Sequence, residues 1–520
     1  MNFTVDKLFS DHVVLQMGKP VSIWGMASSG SKISVTIQGQ HGVSTTEENG
    51  RWQVDLPPLH ASCAEIMQIS DEKDTLVVSD VAVGEVWVAS GQSNMEFPLR
   101  AVPEYRALKD TNLPMIRLFG VPRMSYPGQL TDDDFSDYRI WRPCVSNQLR
   151  WYSAVPFYFA KELFCDKNIP IGILNASVGG SRAVAWADPQ RLAQTSAKIW
   201  IDEYQEGIQD LDLKAYTAAY KNGAMFHAKV QDNDPFREKM WRGMHIGERF
   251  FFQRRIKKLP SPTPETIGPL DCNRPGALYE NMILPLAPFA LRGVIWYQGE
   301  ADDVHGELYS QAMRCVIESW RSAWNEALPF LMVQLAPYRG FAPFLPKDFP
   351  LVRSCQTALA GSMDRVFLTN IMDDGMPYDI HPKNKKLVGH RLALLAKGLV
   401  YKEPIVCQPP VAIEAAWIGN YLTIVLKNSG GRIYRHGIER NAWDVYADGV
   451  RCNRLRIQYK EDRLLLRHRY FQKAQVLTVQ YGWHNYCHCT VCGSAGIPLQ
   501  PFRFTLRKDQ HIKIFQEELS

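Results

Sequence analysis

Along this chain the apolar and polar positions alternate in two distinct rhythms. Residues 21–25, 32–37 and 51–56 alternate apolar with polar and are separated by Gly, Ser and Asn, which predicts short strands of a small β module over 1–80. From about residue 81 the pattern changes to continuous apolar runs at 86–89, 171–175, 293–297, 330–335 and 366–371. Unbroken apolar strands belong to parallel sheets covered on both faces. Helical stretches fit between them at 154–164 (with Ser153 as a cap candidate), 308–324 and 385–396. Strand–helix alternation of this kind predicts a doubly wound α/β domain over 81–404. Residues 190–265 are polar-helical with mixed aromatics (Trp200, Tyr204, Tyr216, Tyr220, Phe226, Trp241) and read as a helical insertion. Strand rhythm returns at 422–426, 463–467 and 475–481, which predicts a sandwich-like β domain over 405–520.

Composition narrows this picture. A chain of 520 residues exceeds one core, so about two to four domains are expected. A net charge of +5 is mild for the length, and the densest basic run, Arg254-Arg255-Ile256-Lys257-Lys258, reads as a solvated helix end or loop. The expectation is therefore no nucleic-acid partner. No apolar stretch reaches the ~18 residues of a membrane span. The 11 cysteines are odd in number and scattered, which favours free thiols in a reducing compartment. With no basic, apolar leader at residues 1–7, a cytoplasmic location is expected, or a periplasmic or secreted one if a signal was trimmed.

Four polar or glycine-rich segments fall at expected strand ends, the edge where open α/β sheets bind ligands. In Gly91-Gln92-Ser93-Asn94-Met95 a serine follows an apolar run and a glycine. A tight turn there exposes its hydroxyl and presents its N–H to a reacting carbonyl. Ser177-Val178-Gly179-Gly180-Ser181 pairs two glycines, which lets the backbone turn N–H groups toward a ligand. Tyr297-Gln298-Gly299-Glu300-Ala301-Asp302 offers an amide donor and two carboxylates. Tyr378-Asp379-Ile380-His381-Pro382 places a histidine where a helix is expected to start, with Pro382 in its first turn. Together these supply a nucleophile (Ser93), a base (His381) with Asp379 to hold its tautomer, and an oxyanion hole from the N–H groups of Ser93 and Gly180 and the Gln298 amide. Each oxyanion donor is worth roughly 3–4 kcal/mol in a dry site. Gln92, Asn94 and Glu300 are the expected substrate-binding neighbours. This chemistry needs no metal or organic cofactor, and activity is expected to fall on acidification toward ~6.5 as the base protonates.

At this point the chain resembles the sialate O-acetylesterase family of SGNH hydrolases. The resemblance runs through Phe9-Ser10-Asp11-His12-Val13-Val14-Leu15-Gln16, Gly50-Arg51-Trp52-Gln53-Val54, Val83-Gly84-Glu85-Val86-Trp87, Gly91-Gln92-Ser93-Asn94-Met95, Val178-Gly179-Gly180-Ser181, Gly293 to Glu300 and Ile380-His381-Pro382. It implies a three-layer α/β/α, flavodoxin-like catalytic domain flanked by β modules. It also implies a serine esterase that removes acetyl groups from sugar hydroxyls, with Ser93 as nucleophile and His381 as base. Two departures stand out. The superfamily's acid lies three residues before the histidine, where this chain has Tyr378, which leaves Asp379, a backbone carbonyl or a bare Ser–His dyad as alternatives. Its asparagine in the third segment is replaced by the longer Gln298.

Rival chemistries are visible too. His484, Cys487, His488, Cys489 and Cys492 resemble half a zinc knuckle, but no second Cys-x-x-Cys follows. Glu300, Asp302, Asp373 and Asp374 could serve a two-carboxylate glycosidase, which would leave Ser93 and His381 idle. A sugar-binding protein without catalysis is the other class. Among esterases, acetylated sialic acid is the expected substrate and acetyl-xylan or another glycan the alternative.

Overall fold

A computed structural model describes residues 3–132, 135–221, 266–340 and 345–514. The basic run 254–258 and the greater part of the expected insertion, 222–265, lie outside the described residues. The chain divides into two compact units, the first Met1–Ile295 with Gln311–Leu328, the second Trp296–Ser310 with Pro329–Ser520.

The first unit is organised by one strand of 17 residues, Thr75–Gly91. Its early part pairs antiparallel with Ser62–Ser70 and its middle runs parallel to Val14–Gln16. Its last seven residues run parallel to Ile171–Ser177, from Glu85 opposite Ile171 to Gly91 opposite Ser177. The expected module boundary at 80/81 thus falls inside a continuous strand. Beyond Ile171–Ser177 lie Asn112–Gly120, parallel, and Trp141–Val145, antiparallel at the edge. Neither of these was expected from the sequence. On the other flank Arg292 N–H donates to Val86 O at 2.7 Å, where the strand Gly293–Tyr297 begins. The central strands are buried throughout from Val81 to Gly91 because helices cover them. The helix Ala154–Lys167 packs Phe159 edge-on against Trp87, ring centroids 5.2 Å apart. Each such buried side chain contributes about 1.5–3 kcal/mol of apolar burial.

In the second unit Phe330–Val333 runs parallel to Val366–Thr369. The helix Phe349–Ser362 starts at an Asp348 cap and Lys385–Leu395 at an Asn384 cap, whose side chain accepts from Leu387 N. The latter helix begins three residues later than a first turn at Pro382 requires, because Asn384 supplies the cap. His381 and Pro382 therefore sit in the turn before it.

Residues 411–514 form two larger antiparallel sheets, one built on Val411–Ile418, Tyr421–Lys427 and Arg463–Arg467, the other on Trp443–Ala447, Val476–Tyr481 and Phe502–Arg507, with a short two-stranded ladder of Tyr434–Arg435 and Val491–Cys492 beside them. Trp417, Leu422, Leu464, Phe471, Leu477 and Val479 close a common core between them. Arg353, fully buried in its helix, ties this module to the α/β part: its guanidinium donates to the carbonyls of Leu335 at 3.1 Å, His484 at 2.8 Å and Asn485 at 2.9 Å. The α/β architecture with flanking β modules matches the sequence-based expectation. All 11 cysteines are free thiols. Among the described residues no helix is long and apolar enough to cross a membrane.

Candidate active site

The first unit carries Gln92, Ser93, Asn94 and Gly180. The strand ends at Gly91, whose φ of +130° lies in the left-handed half of conformational space that favours glycine. Ser93 then opens a single helical turn, Ser93–Glu96, with Gln92 at its cap position. Gln92 and Asn94 are buried. Val178 N–H donates to Gly91 O at 3.0 Å, so the glycine pair Gly179-Gly180 is carried beside this turn. A Cβ on Gly179 would sit 3.6 Å from the Ser93 Cβ, so the serine side chain faces that loop. Gly180 turns with φ +76°.

Sequence reasoning missed the residue that holds these two loops together. Glu96 accepts the Gly179 N–H and also receives the Arg123 guanidinium at 2.9 Å. Its only sequence signal is its position three residues after Ser93, on the same turn. Ser153, expected as a side-chain cap, makes no capping bond. Its hydroxyl donates to Glu96 O at 3.1 Å and accepts from Asn175 Nδ2 at 2.9 Å. The Glu96 turn is thus braced from three sides.

The second unit carries Gln298, Glu300, Asp379 and His381. Gln298 is fully buried at the strand end, its carbonyl accepting from Tyr309 OH at 3.2 Å and from Gln356 Nε2 at 3.2 Å. Its side-chain amide donates to the Asp302 carboxylate. This bond fixes the orientation of the amide, whose nitrogen donates and whose oxygen accepts. Asp302 is therefore a buried partner of Gln298, and Asp373 is taken by Arg391.

Asp379 folds back on the histidine. Its Oδ1 accepts the His381 backbone N–H at 3.0 Å and lies 3.7 Å from the imidazole Nδ1. Its Oδ2 pairs with Lys383 Nζ at 3.0 Å. Burial works to raise this carboxyl, and the His381 and Lys383 groups overcome it and hold the acid well below the ordinary range. Burial pushes the His381 imidazole below its usual value; Asp379 opposes this, while Lys385 and Lys383 add to it. Lys385 is fully buried, with its ammonium 5.4 Å from the Tyr297 ring centre. Burial and then Lys383 bring it down to about 7, against the attraction of Glu300, Asp379 and Asp374. Neither lysine was singled out in the sequence, because their role depends on burial rather than on spacing.

The zinc-like cluster does not assemble. His484 Nε2 is bound to the Asp444 carboxylate, while Cys489 Sγ lies 3.8 Å from Cys487 Sγ. Among the described residues no three His, Cys, Asp or Glu side chains are arranged to hold a metal.

Residues 268–391, which include Gln298, Asp379 and His381, match the family described as carbohydrate esterase, sialic acid-specific acetylesterase. The chain resembles the sialate O-acetylesterases. It is 28% identical to the sialate O-acetylesterase of Rattus norvegicus over 415 residues, covering 73% of this chain and 70% of that protein. It is 27% identical to that of Homo sapiens, over 73% of this chain and 68% of the other. Among solved structures, a carbohydrate acetylesterase from Xanthomonas citri superposes with a TM-score of 0.74 at 26% identity, covering 96% of this chain and 99% of that one. The resemblance read from the sequence motifs is borne out by these matches.

Proposed function

We propose that this chain is a carbohydrate O-acetylesterase that hydrolyses acetyl esters of sialic acid. Ser93 is the nucleophile and His381 the base; Asp379 orients the imidazole through Nδ1. The N–H groups of Ser93 and Gly180 and the Gln298 amide stabilise the oxyanion. Glu300, Gln92 and Asn94 line the substrate side. In the first half-reaction the Ser93 oxygen bonds to the acetyl carbonyl carbon, its proton passes to His381 Nε2, and that proton then leaves on the sugar oxygen. In the second, His381 takes a proton from water, which attacks the acetyl-serine; acetate departs and the proton returns to Ser93.

The observation that carries this reading is the Ser93 turn itself. It pairs a strand-end glycine with a facing glycine loop, in a chain whose His381 segment matches an acetylesterase family. The two-carboxylate alternative is weakened because Asp302 and Asp373 are already engaged by Gln298 and Arg391.

The test is a cycle of Ser93→Ala, His381→Ala and the double variant, assayed on O-acetylated sialic acid and on acetyl-xylan. Residues that act as one unit give losses that do not add. Each single variant is expected to lose about a thousandfold or more in kcat, and the double variant little beyond that. Losses that multiply, or turnover that survives Ser93→Ala, would overturn the reading. Faster release from acetyl-xylan than from the sialate would overturn the substrate assignment.

A further inference from the structure

At the edge of the first unit's sheet, next to the Ser93 turn, lies a cavity of about 130 Å³ whose wall holds four arginines: Arg100, Arg123, Arg142 and Arg150. At ~30 Å³ per water, it has room for about four waters, or for a carboxylate with its adjoining ring carbons. Two of the arginines are matched by acids. Arg123 reaches Glu96 at 2.9 Å, and Arg142 reaches Asp137 at 3.7 Å, with a bond to the Asp137 carbonyl at 2.9 Å.

The other two are not. Arg100 donates to the backbone carbonyl of Arg150 at 3.1 Å, and Arg150 lies 4.5 Å from the Trp151 ring centre, with no carboxylate partner for either among the described residues. Arg142 lies 4.8 Å from the centre of the same indole. Three guanidinium groups are thus gathered around one ring and one carbonyl, where they repel one another. A site with this surplus of planar donors suits an anion. Glu96 connects it to the chemistry, since the same carboxylate lines the cavity and accepts the Gly179 N–H opposite Ser93.

We propose that this cavity is the subsite for the carboxylate of an acidic sugar, with Arg100 and Arg150 as its ligands. The proposal rests on the esterase reading for its biological sense and assigns that site a preference for anionic over neutral acetylated sugars.

The experiment is calorimetric titration of the full chain with N-acetylneuraminic acid and with its methyl ester, which removes the carboxylate charge and adds one methyl group. The acid is expected to bind about tenfold more tightly or better, an advantage that shrinks with added salt. In Arg100→Gln/Arg150→Gln the two ligands should bind within about twofold of each other. The methyl ester serves as internal reference for folding, and Arg150→Gln alone, at an exposed position, gives a second variant with an intermediate ratio. Equal binding of acid and ester by the unaltered chain overturns the subsite. So does a preference that persists in the double variant, or displacement of the acid by inorganic phosphate at equal concentration. Run in the Ser93→Ala chain, which cannot turn over the methyl ester by way of Ser93, the titration reads binding alone, so these outcomes are separate from the loss of turnover that decides the esterase reading.

Discussion

Glu96 Oε2 accepts the backbone N–H of Gly179 at 2.7 Å. This bond couples the turn that presents Ser93 to the loop that presents Gly180. Glu96 is buried, so its loss leaves both the Gly179 donor and Arg123 without their shared acceptor. Glu96→Ala is expected to lower kcat about ten- to hundredfold with little change in KM, since a misplaced donor weakens the transition state more than the ground state. Glu96→Gln keeps an oxygen acceptor and should recover a large part of that loss. Steady-state kinetics on an aryl acetate decide the matter: an alanine variant with unchanged kcat removes Glu96 from any positioning role.

Labelling gives an independent view of Ser93. A fluorophosphonate reacts only with an activated hydroxyl. The intact chain should take up one label, and peptide mass analysis should place it on Ser93. His381→Ala should slow labelling about a hundredfold or more by removing the base. A label on another serine, or a rate indifferent to His381, would contradict the assignment.

The pH profile carries a sign. A base must be neutral to accept the serine proton, and burial holds His381 below the ordinary histidine value. The acid limb of kcat/KM should therefore lie below ~6.5, so that activity persists further into acid than an exposed histidine allows. Lys383 is a positive neighbour that disfavours imidazolium, and it also draws on Asp379. Lys383→Gln removes both effects, which act in the same direction, and should move the limb upward. A limb at or above 6.5 in the unaltered chain, or one that ignores Lys383→Gln, would show that the profile does not report His381.

Below the His381 turn, Arg391 grips Asp373 with two bonds of 2.7 Å and donates also to the carbonyls of Asn370 at 2.9 Å and Gly496 at 3.0 Å. Both side chains are buried, and the next residue, Asp374, is pushed up to about 6 by burial and by Asp373. Breaking a buried pair from one side strands a charge and costs about 3–5 kcal/mol. Arg391→Ala should lower the urea midpoint of the second unit by a corresponding amount, read by circular dichroism. A midpoint within error of the unaltered chain would mean that the pair is energetically neutral.

Strand ends were legible because a buried parallel strand must be apolar, and the residue that stops being apolar marks its exit. Gly293–Tyr297 is recovered residue for residue, and Ser93, Gly179-Gly180 and Gln298 all sit where such runs stop. Asn112–Gly120 escaped notice because Arg117 interrupts it. That arginine is fully buried, with its charge met by Asp80 at 2.9 Å, a pairing 37 residues distant that no local pattern reveals. Trp141–Val145 escaped because of Pro143, which is tolerated at the sheet edge beside a register shift. The same limit explains Glu96, Arg123, Lys383 and Lys385. Residue type and spacing mark a nucleophile or a base, whereas the groups that brace and tune them act through folded proximity.

The strand Thr75–Gly91 has a consequence for how such a chain can be cut or recombined. Its front half is sewn to Ser62–Ser70 and Val14–Gln16, and its back half ends at the Ser93 turn. An excision at residue 80 would tear a ribbon in mid-length and leave raw main-chain edges, the template on which one molecule adheres to the next. The amino-terminal module is in this sense part of the same ribbon that carries Ser93, and shuffling it between relatives would carry the footing of that turn along with it.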